Sequence, residues 1–259
     1  MIKIGTAGTG GLGYRGCLRQ LPKFGIKALE VEFTYGVKMT AEQAREVAQL
    51  ARVNDISLSI HAPFFINLAS LEPEKVTASR KRIIASCAKA DILGASHVVF
   101  HAGFYQQRDP EEIYQIIKKE ILDLLKTLKK HAWKTALALE TTGKVTQFGS
   151  LDELLRMRQE TGCDICVDFA HLLARDGKID YDQVFKKIKK LKHIHAHFSG
   201  IEFSAKGERK HLLTQEKDIH ELAKHIIKNK VDITIINESP QPLKDAAKMV
   251  KIFSKVAKK

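Results

Sequence analysis

Eight short apolar runs recur along the chain: IKIGTAG (2–8), ALEVEF (28–33), SLSIHAP (57–63), HVVFHAG (97–103), TALALET (135–141), DICVDF (164–169), HIHAHF (193–198) and ITIINES (233–239). Their length and their Val and Ile content suit strands buried on both faces. Between them lie amphipathic stretches with helical spacing. TAEQAREVAQLARVND offers Thr40 as an N-cap and Gln43 three residues on, a capping-box pattern. DPEEIYQIIKKEILDLLKTLKKHA starts with Asp109 as cap and Pro110 in the first turn, and SLDELLRMRQETG ends on Gly162, suited to a C-cap. About eight strand–helix cycles with short connections predict a parallel sheet with right-handed crossovers. Eight such units in 259 residues match the size of a TIM (β/α)8 barrel. No linker or break in composition divides residues 1–259, so a single α/β domain is expected.

One motif points elsewhere. GTGGLG (8–13) matches the GxGxxG pattern of dinucleotide folds, with Glu30 or Glu32 near the end of the next run. The segment behind it, YRGCLRQLPKFG, is short and interrupted by Gly16 and Pro22. A glycine-rich loop at the mouth of a barrel is therefore the expected reading.

The chemistry lies at the C-terminal ends of the runs. Glu32, His61, His101, Glu140, Asp168 with His171 just beyond it, His197 and Glu238 all occupy that position. In a barrel these ends meet at one face, where active sites are built. Imidazoles and carboxylates crowded together there are costly if desolvated and unpaired, and divalent cations relieve that cost. Imidazole nitrogen with carboxylate oxygen suits zinc, and manganese or iron also fit. In KHIHAHFSG (192–200), three histidines at alternate positions share one strand face. His197, at the strand end, is expected to be a ligand. His195, one layer deeper, is expected to hydrogen-bond to ligands. His193 starts the strand and is expected to be structural.

Charge adds a partner class. Lys and Arg total 43 against 30 Asp and Glu, a formal net charge of +13. Such an excess favours polyanions, nucleic acid above all. Lysine-rich stretches such as KKIKKLK and KMVKIFSKVAKK also fit solvated helix faces. No apolar run reaches the roughly 18 residues that span a bilayer, and MIKIGTAG lacks a signal-peptide pattern, so a cytoplasmic protein without a membrane partner is expected. Of Cys17, Cys87, Cys163 and Cys166, the last two form a single CxxC. A structural zinc site needs a second pair, so buried thiols are expected, with a disulfide as the rival.

Seven ordered motifs carry a resemblance: HAPFFINLAS (61–70), FHAG (100–103), LET (139–141), VDFAH (167–171), HAHFSG (195–200), KGERKHL (206–212) and NESP (237–240). Over essentially its full length the chain resembles the endonuclease IV family of DNA-repair enzymes (AP endonuclease family 2), in its archaeal-type branch, within the xylose-isomerase-like barrel superfamily. The resemblance implies a hydrolase of base excision repair. Such an enzyme cleaves double-stranded DNA on the 5′ side of an abasic site, using two or three clustered zinc ions, with manganese as an alternative. A monomer is expected.

Carried over by motif, His61, His101 and Glu140 would hold the first ion. Glu140 would bridge to a second, completed by Asp168, His197 and Glu238, and Glu238 would also orient or deprotonate the attacking water. His171 and His211 would hold a third. There the family adds an Asp two residues before the second His, whereas this chain has Arg209, with Glu208 as the nearest acid. Glu208 as substitute, no third ion, or Arg209 as a phosphate contact are the open readings. Phe64 stands where the family has an aromatic in its recognition loop, with Phe65 and Tyr35 as further candidates. Lys206, Arg209 and Lys210, expected in the loop that holds His211, would contact DNA phosphates. The superfamily also contains sugar isomerases and epimerases with one divalent ion. Glu140, Asp168, His197 and Glu238 would serve either chemistry, and the extra imidazoles of His61, His101, His171 and His211 favour the nuclease.

Overall fold

The computed structural model describes residues 1–258. Eight strands are β1 (Ile2–Ala7), β2 (Ala28–Glu32), β3 (Ser57–His61), β4 (His97–Phe100), β5 (Ala136–Glu140), β6 (Asp164–Asp168), β7 (Ile194–Phe198) and β8 (Ile233–Asn237). They close into one barrel in which each strand pairs in parallel with its sequence neighbours and β1 pairs with β8. Helices α1 (Gly13–Gln20), α2 (Ala41–Val53), α3 (Pro73–Leu93), α4 (Pro110–Lys130), α5 (Leu151–Thr161), α6 (Phe169–Asp176), α7 (Tyr181–Ile188), α8 (Glu216–Asn229) and α9 (Pro242–Val256) connect them. This is the (β/α)8 barrel that the periodicity predicts. No helix of the described residues is long and apolar enough to cross a membrane.

The local signals act as expected. Thr40 and Ser150 each close a capping box, and Asp109 caps α4 through the amides of Glu111 and Glu112. GTGGLG forms the turn from β1 into the short α1, so the barrel reading replaces the dinucleotide one. All four cysteines are free and buried.

The large apolar core fills the space between strands and helices. The lumen is different. Inward-facing Val99, Ala138 and Cys166 form a small apolar cluster of their own. Glu30, Ser59 and His195 share the buried lumen with them, so its lining is mixed rather than uniformly aliphatic. Two structures extend above the mouth. One is a pair of two-residue strands, 103–104 with 147–148. The other is a hairpin of Gly200–Ser204 with Gly207–Leu212. The hairpin corrects an expectation: Arg209, Lys210 and His211 lie on its second strand rather than in an irregular loop, and only Lys206 sits in the turn.

Candidate metal centre

A strand sends alternate side chains to one face, and the barrel turns that face inward. Most predicted ligands therefore arrive from the upper end of a strand or just beyond it, and His211 comes from the second strand of the hairpin. Glu140 is the hub. Its Oε2 lies 3.1 Å from His61 Nε2 and 2.9 Å from His101 Nε2, and its Oε1 lies 3.2 Å from both His171 Nδ1 and His197 Nδ1. Glu238 Oε2 approaches His197 Nδ1 at 3.3 Å. Donor atoms within 4.8 Å of one another form five groups among the described residues; Cys166–His195–His197 and Glu30–Glu32–Glu238 are two of them, and the other three overlap at the mouth: His61–His101–Glu140, Glu140–Asp168–His197–Glu238, and Asp168–His171–His211. Of these three, Glu140 joins the first two and Asp168 joins the last two.

The hydrogen bonds around the histidines select tautomers. His61 Nδ1 lies 2.8 Å from the Ala62 carbonyl and His171 Nδ1 lies 2.9 Å from the Thr141 carbonyl. A carbonyl only accepts, so each Nδ1 carries a proton, and in the neutral ring Nε2 is then the nitrogen that offers a lone pair. Ser199 Oγ donates to the Gly200 carbonyl, which makes it the acceptor for His211 Nδ1 at 2.7 Å. Three rings are thus pinned with Nε2 directed at the centre, as metal-ligating imidazoles are. Asp168 caps α6, its Oδ1 accepting from the amides of Ala170 and His171 at 2.6 and 2.9 Å. Its Oδ2, with His101 Nε2 and His171 Nε2, is buried without a hydrogen-bond partner. Orphaned donor atoms of these types fit divalent cations.

The electrostatics agree. Burial would raise the Glu140 pKa, but the charges of His101 and His197 hold it well below the ordinary carboxylate value. Burial opposes protonation of His61, yet its Glu140 hydrogen bond and the nearby Glu32 push it up to about 10. His171 is likewise raised against the penalty of burial, first by Asp168, and His197 by Cys166 and then by Glu238, Glu30 and Glu140. The carboxylates here attract positive charge strongly enough to overcome desolvation.

Beside Asp168, a second acid approaches the histidines of the third group. In the hairpin, Ile201 pairs with His211 and Glu202 with Lys210, and then the register slips so that Phe203 faces Glu208. Arg209 is the extra, bulged residue. A bulge reverses the alternation beyond it, so Glu208, three residues before His211, reaches the same pocket. Glu208 Oε2 lies 3.4 Å from His171 Nε2, and Oε1 lies 3.9 Å from His211 Nε2. Gly143 makes room: a Cβ there would meet the Glu208 side chain at 2.7 Å. Arg209 points away, pairing with Glu202 at 3.4 Å, and Lys210 pairs with the same carboxylate at 3.2 Å.

Residues 18–256 match the AP endonuclease 2 family model, described as xylose isomerase-like TIM barrel. The chain belongs to this family. It is 35% identical over 251 residues to an uncharacterized protein of Methanocaldococcus jannaschii, covering 91% of this chain and 90% of that one. It is 27% identical over 224 residues to a protein named probable endonuclease 4 from Aster yellows witches'-broom phytoplasma, covering 80% and 75%. Among solved barrels of similar shape, SacUVDE aligns over 100% of both chains with a TM-score of 0.78 at 16% identity. Endonuclease IV from Thermus thermophilus aligns over 99% and 98% with 0.69 at 19%, and a D-tagatose 3-epimerase-like protein over 99% and 98% with 0.75 at 16%. At these identities the structures establish the shared fold alone.

In this xylose isomerase-like barrel the rim above the centre carries exposed aromatics. Phe64 and Phe65 are 60% and 61% exposed and Tyr35 is 75% exposed, with the Phe64 ring 6.1 Å from that of His61. A cavity of about 700 Å³ opens beside Glu32, lined also by Tyr14, Arg15, Tyr35 and Lys38. Sequence reasoning passed over Glu30 and left Glu32 without a role. Burial raises the Glu32 pKa to about 8, partly offset by His61, while Glu30 and Glu238 repel its charge. The signal was present in ALEVEF, where two acids alternate with Leu29 and Val31 and so share the face opposite to them. His193 pairs with Asp232 at 2.7 Å at the start of β7, away from the centre.

Proposed function

We propose that this chain is a metal-dependent endonuclease that hydrolyses a phosphodiester of double-stranded DNA on the 5′ side of an abasic site. The observation that carries the reading is the set of three overlapping donor groups, joined through Glu140 and Asp168. Such a set suits two or three cations, zinc first by its mixture of imidazole and carboxylate. His61, His101 and Glu140 would hold one. Glu140, Asp168, His197 and Glu238 would hold the next, and Asp168, His171, His211 and Glu208 the third. Bound there, cations supply charge neutralisation at the phosphate and acidify water enough for attack at neutral pH.

The chain's own side chains do the rest. Glu238 has a pKa held at about 2, burial being outweighed by His197, so it is an anion able to orient a water by accepting its proton in a hydrogen bond. The carboxylate of Glu140, common to the first two groups, would hold both of their cations. Exposed Phe64 and Phe65 suit a duplex opened at a missing base, because an inserted ring replaces lost stacking. Lys206, Arg209 and Lys210 are exposed on the hairpin, where they can meet phosphates. The formal charge of +13 and a relative named probable endonuclease 4 also support a nucleic-acid substrate.

A second reading rests on one group alone: Glu140, Asp168, His197 and Glu238 would serve a one-ion sugar epimerase. A duplex carrying a tetrahydrofuran abasic analogue separates the two. The nuclease reading expects a nick 5′ to the lesion that leaves a 3′-hydroxyl and disappears with chelator. No nick with zinc, manganese or cobalt, together with turnover of a ketose, would establish the alternative.

A further inference from the structure

Glu30 lies one layer below the metal centre, two residues before Glu32 on the inward face of β2, and is fully buried. Ser59 Oγ donates to its Oε2 at 2.6 Å, and His195 Nε2 meets the same oxygen at 2.8 Å. Its Oε1 lies 2.7 Å from His197 Nε2, in a close contact that is off the N–H axis. Ser59 and His195 therefore anchor the carboxylate, and its second oxygen is left for His197. A carboxylate with no exposure is expensive unless partnered; Ser59 and His195 are its hydrogen-bond partners, and His197 is in close contact with its other oxygen.

His197 differs from its neighbours. His61, His171 and His211 turn Nε2 to the centre, with Nδ1–H tied to the Ala62 carbonyl, the Thr141 carbonyl and Ser199 Oγ. His197 is reversed: its Nδ1 faces Glu140 and Glu238, at 3.2 and 3.3 Å, and its Nε2 faces the lumen floor. To serve as a ligand through Nδ1, a neutral ring must carry its proton on Nε2. We infer that Glu30 is a positioning residue of the metal centre: it accepts the Nε2 proton of His197 and so presents Nδ1 to the cation position shared by Glu140, Asp168 and Glu238. This rests on the metal-centre reading above. His195 then has a defined part as well, because it holds Glu30 rather than a cation.

The probe is cobalt(II), titrated against a competing chromophoric chelator. Glu30→Gln keeps the side-chain volume and removes the charge. Its affinity for cobalt should fall about 10–100-fold, the range typical when the partner of a ligating histidine is lost, and the cobalt ligand-field bands should shift. A second measurement needs no variant. In the zinc-loaded parent with 15N-labelled histidine, His197, assigned by loss of its signals in His197→Gln, should carry its proton on Nε2 and bind through Nδ1. His61, His171 and His211 should show the opposite arrangement. Unchanged cobalt affinity in a folded Glu30→Gln, or a proton on His197 Nδ1, overturns the inference. If Glu30→Gln fails to fold, the ring pattern of the parent decides alone. A parent that binds neither cobalt nor zinc overturns the metal-centre reading itself and this inference with it.

Discussion

Replacing Glu140 by Gln tests the hub of the centre without changing its volume. Four imidazole nitrogens lie 2.9–3.2 Å from its two oxygens. In chelator-treated protein the carboxylate stays ionised, and His61 is protonated up to about pH 10. Removing one partner of a buried ionic pair costs about 3–5 kcal/mol. For a chain of this size each kcal/mol lowers the melting temperature by roughly 2–4 °C, so Glu140→Gln should melt about 6–20 °C lower near pH 6.

The sign of the pH effect follows from His61. Its folded pKa of about 10 lies above the ordinary 6.5, so its contribution is full below about pH 6.5 and is lost as the pH rises through 10. The gap between parent and variant should therefore narrow by pH 10. Thermal melts followed by circular dichroism at pH 6 and pH 10 measure both gaps. A variant as stable as the parent at pH 6, or a gap of equal size at both pH values, would refute the reasoning.

Three further outcomes are expected. Elemental analysis of zinc-loaded protein should show Glu208→Ala losing up to one ion per chain while Arg209→Ala loses none; equal losses would contradict the role of the bulge. Phe64→Ala and Phe65→Ala should each weaken binding to an abasic duplex by about 1–3 kcal/mol, the usual worth of a base–aromatic stack, and unchanged affinity would remove the wedge role. Glu32, with its pKa raised by burial to about 8, favours the protonated form in the folded state. Metal-free parent should thus lose stability relative to Glu32→Gln as the pH climbs from about 4.5 to 8, and parallel melting curves across that range would show that Glu32 is not desolvated.

The ligand ring was legible because strand periodicity and barrel closure are both encoded in local pattern. His61, Glu140 and Asp168 end their strands and His197 stands one residue before the end of its own, so convergence followed from topology. Glu208 was not assignable, because its direction depends on a bulge at Arg209, and a bulge is a property of two paired strands rather than of one segment. KGERKHL reads as a polar loop for the same reason, since an exposed hairpin has no apolar face to betray it. Glu30 was hidden by its company: within ALEVEF it counts as one polar position in a buried strand, and its partners Ser59, His195 and His197 come from 29 or more residues away. Long-range pairing of buried polar groups leaves little trace in the local sequence.

Anomalous scattering at the zinc edge, from crystals of the zinc-loaded protein, tests the central claim most directly. Two or three peaks at the mouth of the barrel are expected, one among His61, His101 and Glu140, one among Glu140, Asp168, His197 and Glu238, and the third among Asp168, His171, His211 and Glu208. A single peak confined to the four residues of the second group, or none at all, would contradict a multinuclear centre.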